Sequence, residues 1–293
     1  MAIRVATAPD SWGVWFPADP HQTPWNRFLD EVAEAGYDAI ELGPYGYLPT
    51  DPARLRRELE SRGLRLTGAF IFRDLVDADA WEETRSEVDS LTRVVLEMGA
   101  EHLVLINTLY TDLFTGARVG PPALSDAAWS TMVDTISRIG ELTRSRGVTA
   151  VYHPHVETVV EHLDQVERLL RDVDAELVSL CLDLGHIAYR GGDPIDLMTR
   201  YPERVRYLHL KNVDPAKRAS AVAEGWSFSE AVRQGTFCEL ESGAIDYARV
   251  RDAIPASFDG WGVVEQDMYP CAFDEPLPVA RRNRDYLRRI GMG

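Results

Sequence analysis

Lysine, cysteine and basic charge are what this chain has least of, and each shortage excludes something. Two of the 293 residues are lysine, Lys211 and Lys217. Arginine carries the rest of the positive charge, and a guanidinium effectively never loses its proton, whereas a buried ammonium can. In such a chain a lysine at a strand end invites a functional reading, with compositional chance as the alternative. The three cysteines, Cys181, Cys238 and Cys271, are odd in number and far apart, and no C-x-x-C occurs. That argues against a disulfide framework and for a reducing, cytoplasmic setting. Lys and Arg total 31 against 47 Asp and Glu, a net charge of −16. The balance opposes binding to nucleic acid or to an anionic membrane through a basic face. It suits carboxylate-rich sites for divalent cations, although acidic helix faces in water account for most of it. No apolar run approaches the roughly 18 residues of a membrane span. Met-Ala-Ile-Arg-Val at the start reads as strand, not as the apolar core of a signal peptide. No G-x-G-x-x-G follows the first strand, which disfavours a doubly wound nucleotide-binding sheet.

What is present is an alternation. Short, mostly apolar runs at 3–8, 38–42, 64–70, 102–106, 148–152, 178–182, 205–210 and 262–265 alternate with helical patterns at 25–35, 51–61, 80–98, 125–146, 159–170, 194–200, 245–253 and 278–290. A longer mixed segment at 214–244 interrupts the series. Gly36, Gly63, Gly99 and Gly147 sit where helices should stop. Strands that are apolar throughout belong to a parallel sheet covered on both faces. Eight strand–helix units in ~250–300 residues predict a (β/α)8 TIM barrel. No linker rich in Pro, Gly or Ser divides residues 1–293, so one domain is expected.

In this fold, active sites lie at the carboxyl ends of the strands. Those ends carry Glu41, Asn107, His153, His155, Asp183, His186, His209, Lys211, Glu265 and Asp267. The opposite ends read Gly-Tyr-Asp, Gly-Leu-Arg, Gly-Ala-Glu and Gly-Val-Thr, chemically ordinary sequences. The asymmetry is that of an enzyme. Alternation of side chains along Val205–Asn212 places His209 and Lys211 on one side of the strand, with Leu210 opposite. One residue from each of four strand ends gives His153, Asp183, His209 and Glu265. Two imidazoles and two carboxylates suit Mn²⁺, Co²⁺ or Fe²⁺, with Zn²⁺ also accommodated, while Mg²⁺ usually prefers oxygen shells. Each residue also has a plain structural explanation. Asp183 can cap the following turn, Glu265 can pair with an arginine, and the histidines can be satisfied interior residues. All four being ordinary at corresponding positions is the weaker explanation.

Around this set stand residues with open roles. His186 can fold back over the ion or bond a substrate hydroxyl, and Lys211 can support a developing oxyanion or donate a proton. Glu157 is a base or the first turn of a helix. Glu41, followed by Gly-Pro-Tyr-Gly-Tyr, bounds a sugar pocket or forms an ion pair. Trp12, Trp15 and Phe16 offer aromatic faces for a sugar ring, a lid or a subunit contact. Asn107 is a further substrate contact, and Glu239 and Glu241 come from a late loop.

Glu41-Leu-Gly-Pro-Tyr-Gly, His153-Pro-His155, Asp183-Leu-Gly-His186, His209-Leu-Lys211 and Val264-Glu265-Gln-Asp267 resemble the xylose-isomerase-like barrel superfamily of sugar (phosphate) isomerases and epimerases. Within it they look most like the inosose (2-keto-myo-inositol) dehydratase branch. The resemblance covers nearly the whole chain and implies a divalent ion on strand ends five to eight, usually held by Glu, Asp, His and Glu. Here Asp183, His209 and Glu265 match, and His153 stands in place of the first glutamate. Superfamily epimerases use two metal-bound glutamates on opposite faces of the substrate. The histidine exchange therefore implies dehydration of a keto-sugar or keto-inositol, with isomerisation or epimerisation as the alternative. On that reading Glu265 or Glu157 takes the α-proton, Lys211 supports the oxyanion, and His155 or His186 protonates the leaving hydroxyl. No Gly-rich phosphate cradle is evident, which favours an unphosphorylated substrate. An endonuclease IV-type nuclease shares the barrel and a D-x-x-H motif, but the acidic charge opposes it. A non-catalytic sugar-binding barrel is the remaining alternative. A homo-oligomer, dimer or tetramer, is left open.

Overall fold

In the computed structural model, which describes residues 3–293, the alternation closes into a ring. The strands are β1 (Arg4–Thr7), β2 (Ala39–Glu41), β3 (Arg65–Arg73), β4 (His102–Asn107), β5 (Thr149–Tyr152), β6 (Val178–Asp183), β7 (Val205–Leu210), β8 (Asn212–Val213), β9 (Phe237–Cys238) and β10 (Trp261–Val264). Eight of them form a closed barrel in the order β1-β10-β7-β6-β5-β4-β3-β2, and every neighbouring pair is parallel. The (β/α)8 expectation holds. Among the described residues no helix is long and apolar enough to cross a membrane.

Two apolar layers hold the barrel. Outward-facing strand residues such as Val5, Ile40, Leu103, Leu180 and Leu208 pack under the helices with Phe28, Leu55, Leu91, Ile136 and Leu197. Inward-facing residues fill the interior: Ala6, Ala39, Val104, Val151, Cys181, Tyr207, Trp261 and Val263. Small residues on β1 and β2 leave space for the large rings from β7 and β10. Burial at this scale supplies most of the favourable free energy of folding.

The interior layer positions the site. One more step of two residues along a strand points inward again, now at the carboxyl-end mouth. Val151 leads to His153, Cys181 to Asp183, Tyr207 to His209, Val263 to Glu265 and Ala39 to Glu41. Register supports this, with Asp183 opposite His209 and Val263 opposite His209 on the other side.

One local expectation is corrected, and two segments gain structure that the pattern did not show. The helix expected over 159–170 runs Leu163–Asp172, because the Gln165 side chain accepts from the backbone N–H of Glu161 and His162 at 2.9 Å and sets the start there. Residues 184–189 form a short helix directly after β6, capped by Asp183. The mixed segment resolves into helices Pro215–Glu224 and Phe228–Arg233, and β8 pairs antiparallel with β9 beside them.

Candidate metal centre and active site

His153, Asp183, His209 and Glu265 converge: one ligand atom from each lies within 4.8 Å of all the others, and all four residues are buried. Asp183 Oδ1 accepts from the His186 N–H at 2.8 Å and so caps the short helix, while Oδ2 faces the interior. The cap and the candidate ligand position of Asp183 therefore fall to different oxygens. Its Oδ2 lies 3.5 Å from His153 Nε2 and 3.7 Å from His209 Nδ1. Two ligands each about 2.1 Å from one ion stand roughly 3–3.5 Å apart, so the spacing suits a shared cation. Asp183 Oδ2 and His209 Nδ1, which face one another across the set, are buried atoms without hydrogen-bond partners, and such groups need a partner that the side chains do not supply. The same strand ends bury Glu41, Asp183, Glu265 and Asp267 around the single ammonium of Lys211. That excess of negative charge fits a divalent ion. Cys181 lies close enough to form a second set with the two histidines. Burial pushes its thiol up to about 12, so it stays protonated and is the poorer ligand.

Glu41 is not a distant wall residue. Its Oε2 lies 3.2 Å from His209 Nε2, on the opposite edge of the ring from Nδ1, which is 2.9 Å from Glu265. The Glu41 carboxylate thus fixes the imidazole so that Nδ1 is turned toward the Asp183 and Glu265 carboxylates of the candidate set, an arrangement that would orient and strengthen a histidine ligand. Burial opposes charge on His209, yet contact with Cys181, Glu265 and Glu41 raises its pKa well above the usual value.

Lys211 is the hub of the polar side. Its Nζ is 2.8 Å from Asp267, 3.1 Å from Glu265, 3.5 Å from Asp183 and 3.9 Å from Asp10. Burial alone would lower its pKa; Asp267, Glu265 and Asp183 outweigh that and raise it well above the usual value. Lys211 is therefore held as an ammonium, a donor and not a base. Burial likewise opposes ionisation of Glu265 and Asp183, but His209 and Lys211 hold Glu265, and Lys211 and His153 hold Asp183, below the ordinary carboxylate range. Burial together with neighbouring carboxylates raises Asp10, and burial raises Asp267. Gly185 is packed so closely that a Cβ there would stand 2.5 Å from Lys211 Cγ.

His155 donates from Nδ1 to the Val156 carbonyl at 2.7 Å, and burial beside His153 depresses its pKa to about 3. His186, at 3.2 Å, accepts from Lys211 through Nε2, and burial beside His155 holds its pKa well below the usual value. Both shifts favour the neutral ring, which suits an acceptor more than a proton donor at these two positions.

Several expected contacts lie elsewhere. Ile106 points inward, so Asn107 points outward; its amide bonds the Leu75 N–H and the Tyr152 hydroxyl. Trp12 is fully buried, donating to Glu31 at 2.9 Å and packing on Phe28. Trp15 and Phe16 line the cavity instead. The Glu157 carboxylate bonds Thr111 beyond the cavity wall, at a residue with φ 62°. Glu239 is held by Arg282 and Glu241 by Arg289 on the outer surface. Sequence reading had passed over Asp10. Its signal was there, two residues beyond the inward-facing Ala8.

The cavity measures about 470 Å³, within the range for small-molecule sites. Its β5, β6, β7 and β10 side carries His153, His155, His209, Lys211, Glu265 and Asp267. Its β2–β4 side carries Tyr45, Phe70, Phe72, Ile106, Leu109 and Leu113.

Fold and site together define a (β/α)8 enzyme with a candidate metal centre at the carboxyl mouth of the barrel. The family model for the xylose isomerase-like TIM barrel matches residues 29–290, and the chain belongs to that family. It is 30% identical over 295 residues to an inosose dehydratase of Geobacillus kaustophilus (strain HTA426), covering 98% of this chain and 94% of the relative. It is 28% identical over 291 residues to the inosose dehydratase of Geobacillus thermodenitrificans (strain NG80-2), covering 98% and 96%. Solved structures of like fold include an IOLI protein with a bound zinc atom, TM-score 0.74 at 14% identity over 98% of this chain and 99% of that one. Another is the probable 3-DHS dehydratase AsbF from Bacillus anthracis, TM-score 0.72 at 16% identity over 98% and 99%. The protein is thus a member of a sugar-modifying enzyme family.

Proposed function

We propose that this enzyme removes water from a keto-polyol of the inosose type, with a divalent ion held by His153, Asp183, His209 and Glu265. The observation that carries this reading is the placing of a carboxylate and an ammonium side by side: Glu265 and Lys211 are 3.1 Å apart in one wall. Removing H and OH from adjacent carbons on one face of a ring needs a base and an acid next to each other. Epimerisation by proton exchange needs bases on opposite faces, and the residue facing Glu265 across the set is His153. The full-length similarity to inosose dehydratases points the same way.

When bound, the ion would polarise the keto oxygen and stabilise the negative charge that develops there. Mn²⁺ or Co²⁺ suits the mixed nitrogen and oxygen set best, ahead of Fe²⁺, Zn²⁺ and Mg²⁺. Glu265 takes the α-proton, and the C–O bond to the β-hydroxyl breaks as Lys211 supplies a proton to the departing oxygen. Asp267 and Asp10, both with raised pKa values beside Lys211, restore that proton from solvent. Neutral His155 and His186 accept hydrogen bonds, His155 from a substrate hydroxyl and His186 from Lys211. The aromatic and aliphatic wall excludes water from the developing charge. The three free thiols support a reducing, cytoplasmic setting.

The test is product analysis with scyllo-inosose and Mn²⁺ or Co²⁺. A product lighter by one water, with the ultraviolet absorbance of an enone or diketone, is expected. An epimer or an aldose–ketose pair without water loss would overturn the dehydration reading and favour isomerase chemistry.

A further inference from the structure

The two sides of the cavity ask for two different surfaces on one ligand. We infer that the substrate is a neutral molecule with a keto-polyol head and an apolar, ring-sized substituent. The head lies against His153, Lys211 and Glu265, and the substituent against Phe70, Phe72, Ile106, Leu109 and Leu113. This refines the proposed function, on which it rests for the nature of the head.

Unpaired hydroxyls are the first reason. A ring hydroxylated on every carbon would turn several hydroxyls toward β3 and β4, where the lining is Phe70, Phe72, Ile106, Leu109 and Leu113. The two carboxylates on that side are already engaged, Glu41 with His209 at 3.2 Å and Glu87 with Arg73 at 2.7 Å. Each buried hydroxyl left without a partner costs about 1–3 kcal/mol, whereas an apolar group placed there gains.

Charge is the second reason. Among the described residues no arginine lines the cavity, and the one lysine, Lys211, is bonded to Asp267 and Glu265. Apart from the divalent ion of the proposed function, which the keto-polyol head would occupy, a phosphate or carboxylate would meet Asp10, Glu41, Glu265 and Asp267 and no unpaired cation. The ligand is therefore neutral.

Room is the third reason. A keto-inositol has about a dozen non-hydrogen atoms. Even at the roughly 30 Å³ each water molecule takes in the liquid, they fill no more than about 360 Å³, less than the cavity's 470 Å³. The remaining space leads outward along apolar surface. Phe72 is 39% exposed at the mouth, and Phe114, 67% exposed, stacks on Phe16 at 5.5 Å between ring centres. A substituent projecting along this path leaves the head in place.

The metal-loaded protein is titrated calorimetrically with phenyl β-D-glucopyranoside, methyl β-D-glucopyranoside and glucose 6-phosphate. The phenyl glycoside is expected to bind at least about tenfold more tightly than the methyl one, the gain of burying about two methylene groups or more. Glucose 6-phosphate is expected to bind more weakly than either. In Phe72→Ala and Leu113→Ala the phenyl preference shrinks below about threefold, while the Co²⁺ stoichiometry and the methyl glycoside affinity stay as in the wild type. Equal affinity for the two glycosides, or tighter binding of the phosphate, would overturn the inference, and the wild-type comparison alone suffices for that. Turnover of scyllo-inosose by the same preparation separates the two proposals. Water loss without a phenyl preference sinks the substituent and leaves the dehydratase. A phenyl preference without water loss does the reverse.

Discussion

The two halves of the barrel mouth are built on the same backbone and end in opposite chemistry. On β5, β6, β7 and β10 the inward position after the interior layer is His153, Asp183, His209 and Glu265. On β1, β3 and β4 it is Ala8, Phe72 and Ile106, and only β2 adds a charge, Glu41, which reaches across to His209. The lesson is that the (β/α)8 frame fixes where a side chain is delivered and leaves its identity free. One half concentrates carboxylates and imidazoles around Lys211; the other concentrates apolar surface. Histidine shows the contrast within one residue type. His209, among carboxylates, has its pKa raised. His102, inside the same barrel but on β4 and against the Tyr207 ring, has its pKa lowered to about 4, by burial first and Arg4 second.

Removing charge from the polar half should have the largest effect. Asp183→Asn keeps the helix cap through its side-chain carbonyl but loses the anionic Oδ2 that His153 and His209 surround. Bound metal measured by elemental analysis is expected to fall below one-tenth of a site, and kcat/KM by about a thousandfold or more. Near-normal metal content would break the division between halves. The next effect lies at the opposite end of the barrel from the mouth, where His102 opens β4, and should appear in stability, not activity. The unfolded chain protonates His102 near the ordinary 6.5, and the folded chain resists until about 4. Its contribution is complete above pH 6.5, is lost as pH falls from 6.5 to 4, and amounts to about 3 kcal/mol. Urea midpoints measured at pH 7.5 and 4.5 should therefore separate less in His102→Gln than in the wild type. An unchanged separation would show that His102 is not held neutral.

The convergence of the four candidate ligands could be read from the sequence because it follows a rule of two: each sits two residues beyond an apolar inward position on a strand short enough to count. The same rule, applied strictly, would have rejected Asn107, which is odd in register with Ile106, and admitted Asp10, which is even with Ala8. Trp12 and Trp15 could not be separated in advance, because they lie in a turn at Pro9–Trp12 and beyond, where period two no longer holds. Glu41's bond to His209 spans 168 residues and depends on barrel closure, which no local pattern encodes. The lowered pKa values of His155 and His186 depend on burial and on the imidazoles and the Lys211 ammonium packed beside them, and neither is visible in a string of letters.

Lys211→Met tests whether the acid belongs to the polar half. The thioether nearly preserves volume and removes the ammonium, so the metal should stay and kcat fall about a hundredfold, with KM changed much less. Gly185→Ala should reproduce part of this loss by pushing Lys211 aside, since the added Cβ would meet its Cγ at 2.5 Å. The smallest effect should come from the residue that crosses between the halves. Glu41→Gln retains a hydrogen-bond acceptor for His209 Nε2 but gives up the charge that strengthens Nδ1 as a ligand. Metal affinity is expected to drop about tenfold, the low end for loss of a partner that orients a ligand. The kcat at saturating metal should stay within a few-fold of the wild type. A competition titration against a metallochromic chelator reads the first quantity and turnover at high Mn²⁺ the second. A collapse of kcat with affinity intact would move Glu41 out of the supporting role and into contact with substrate, and the apolar half would then hold a polar subsite of its own.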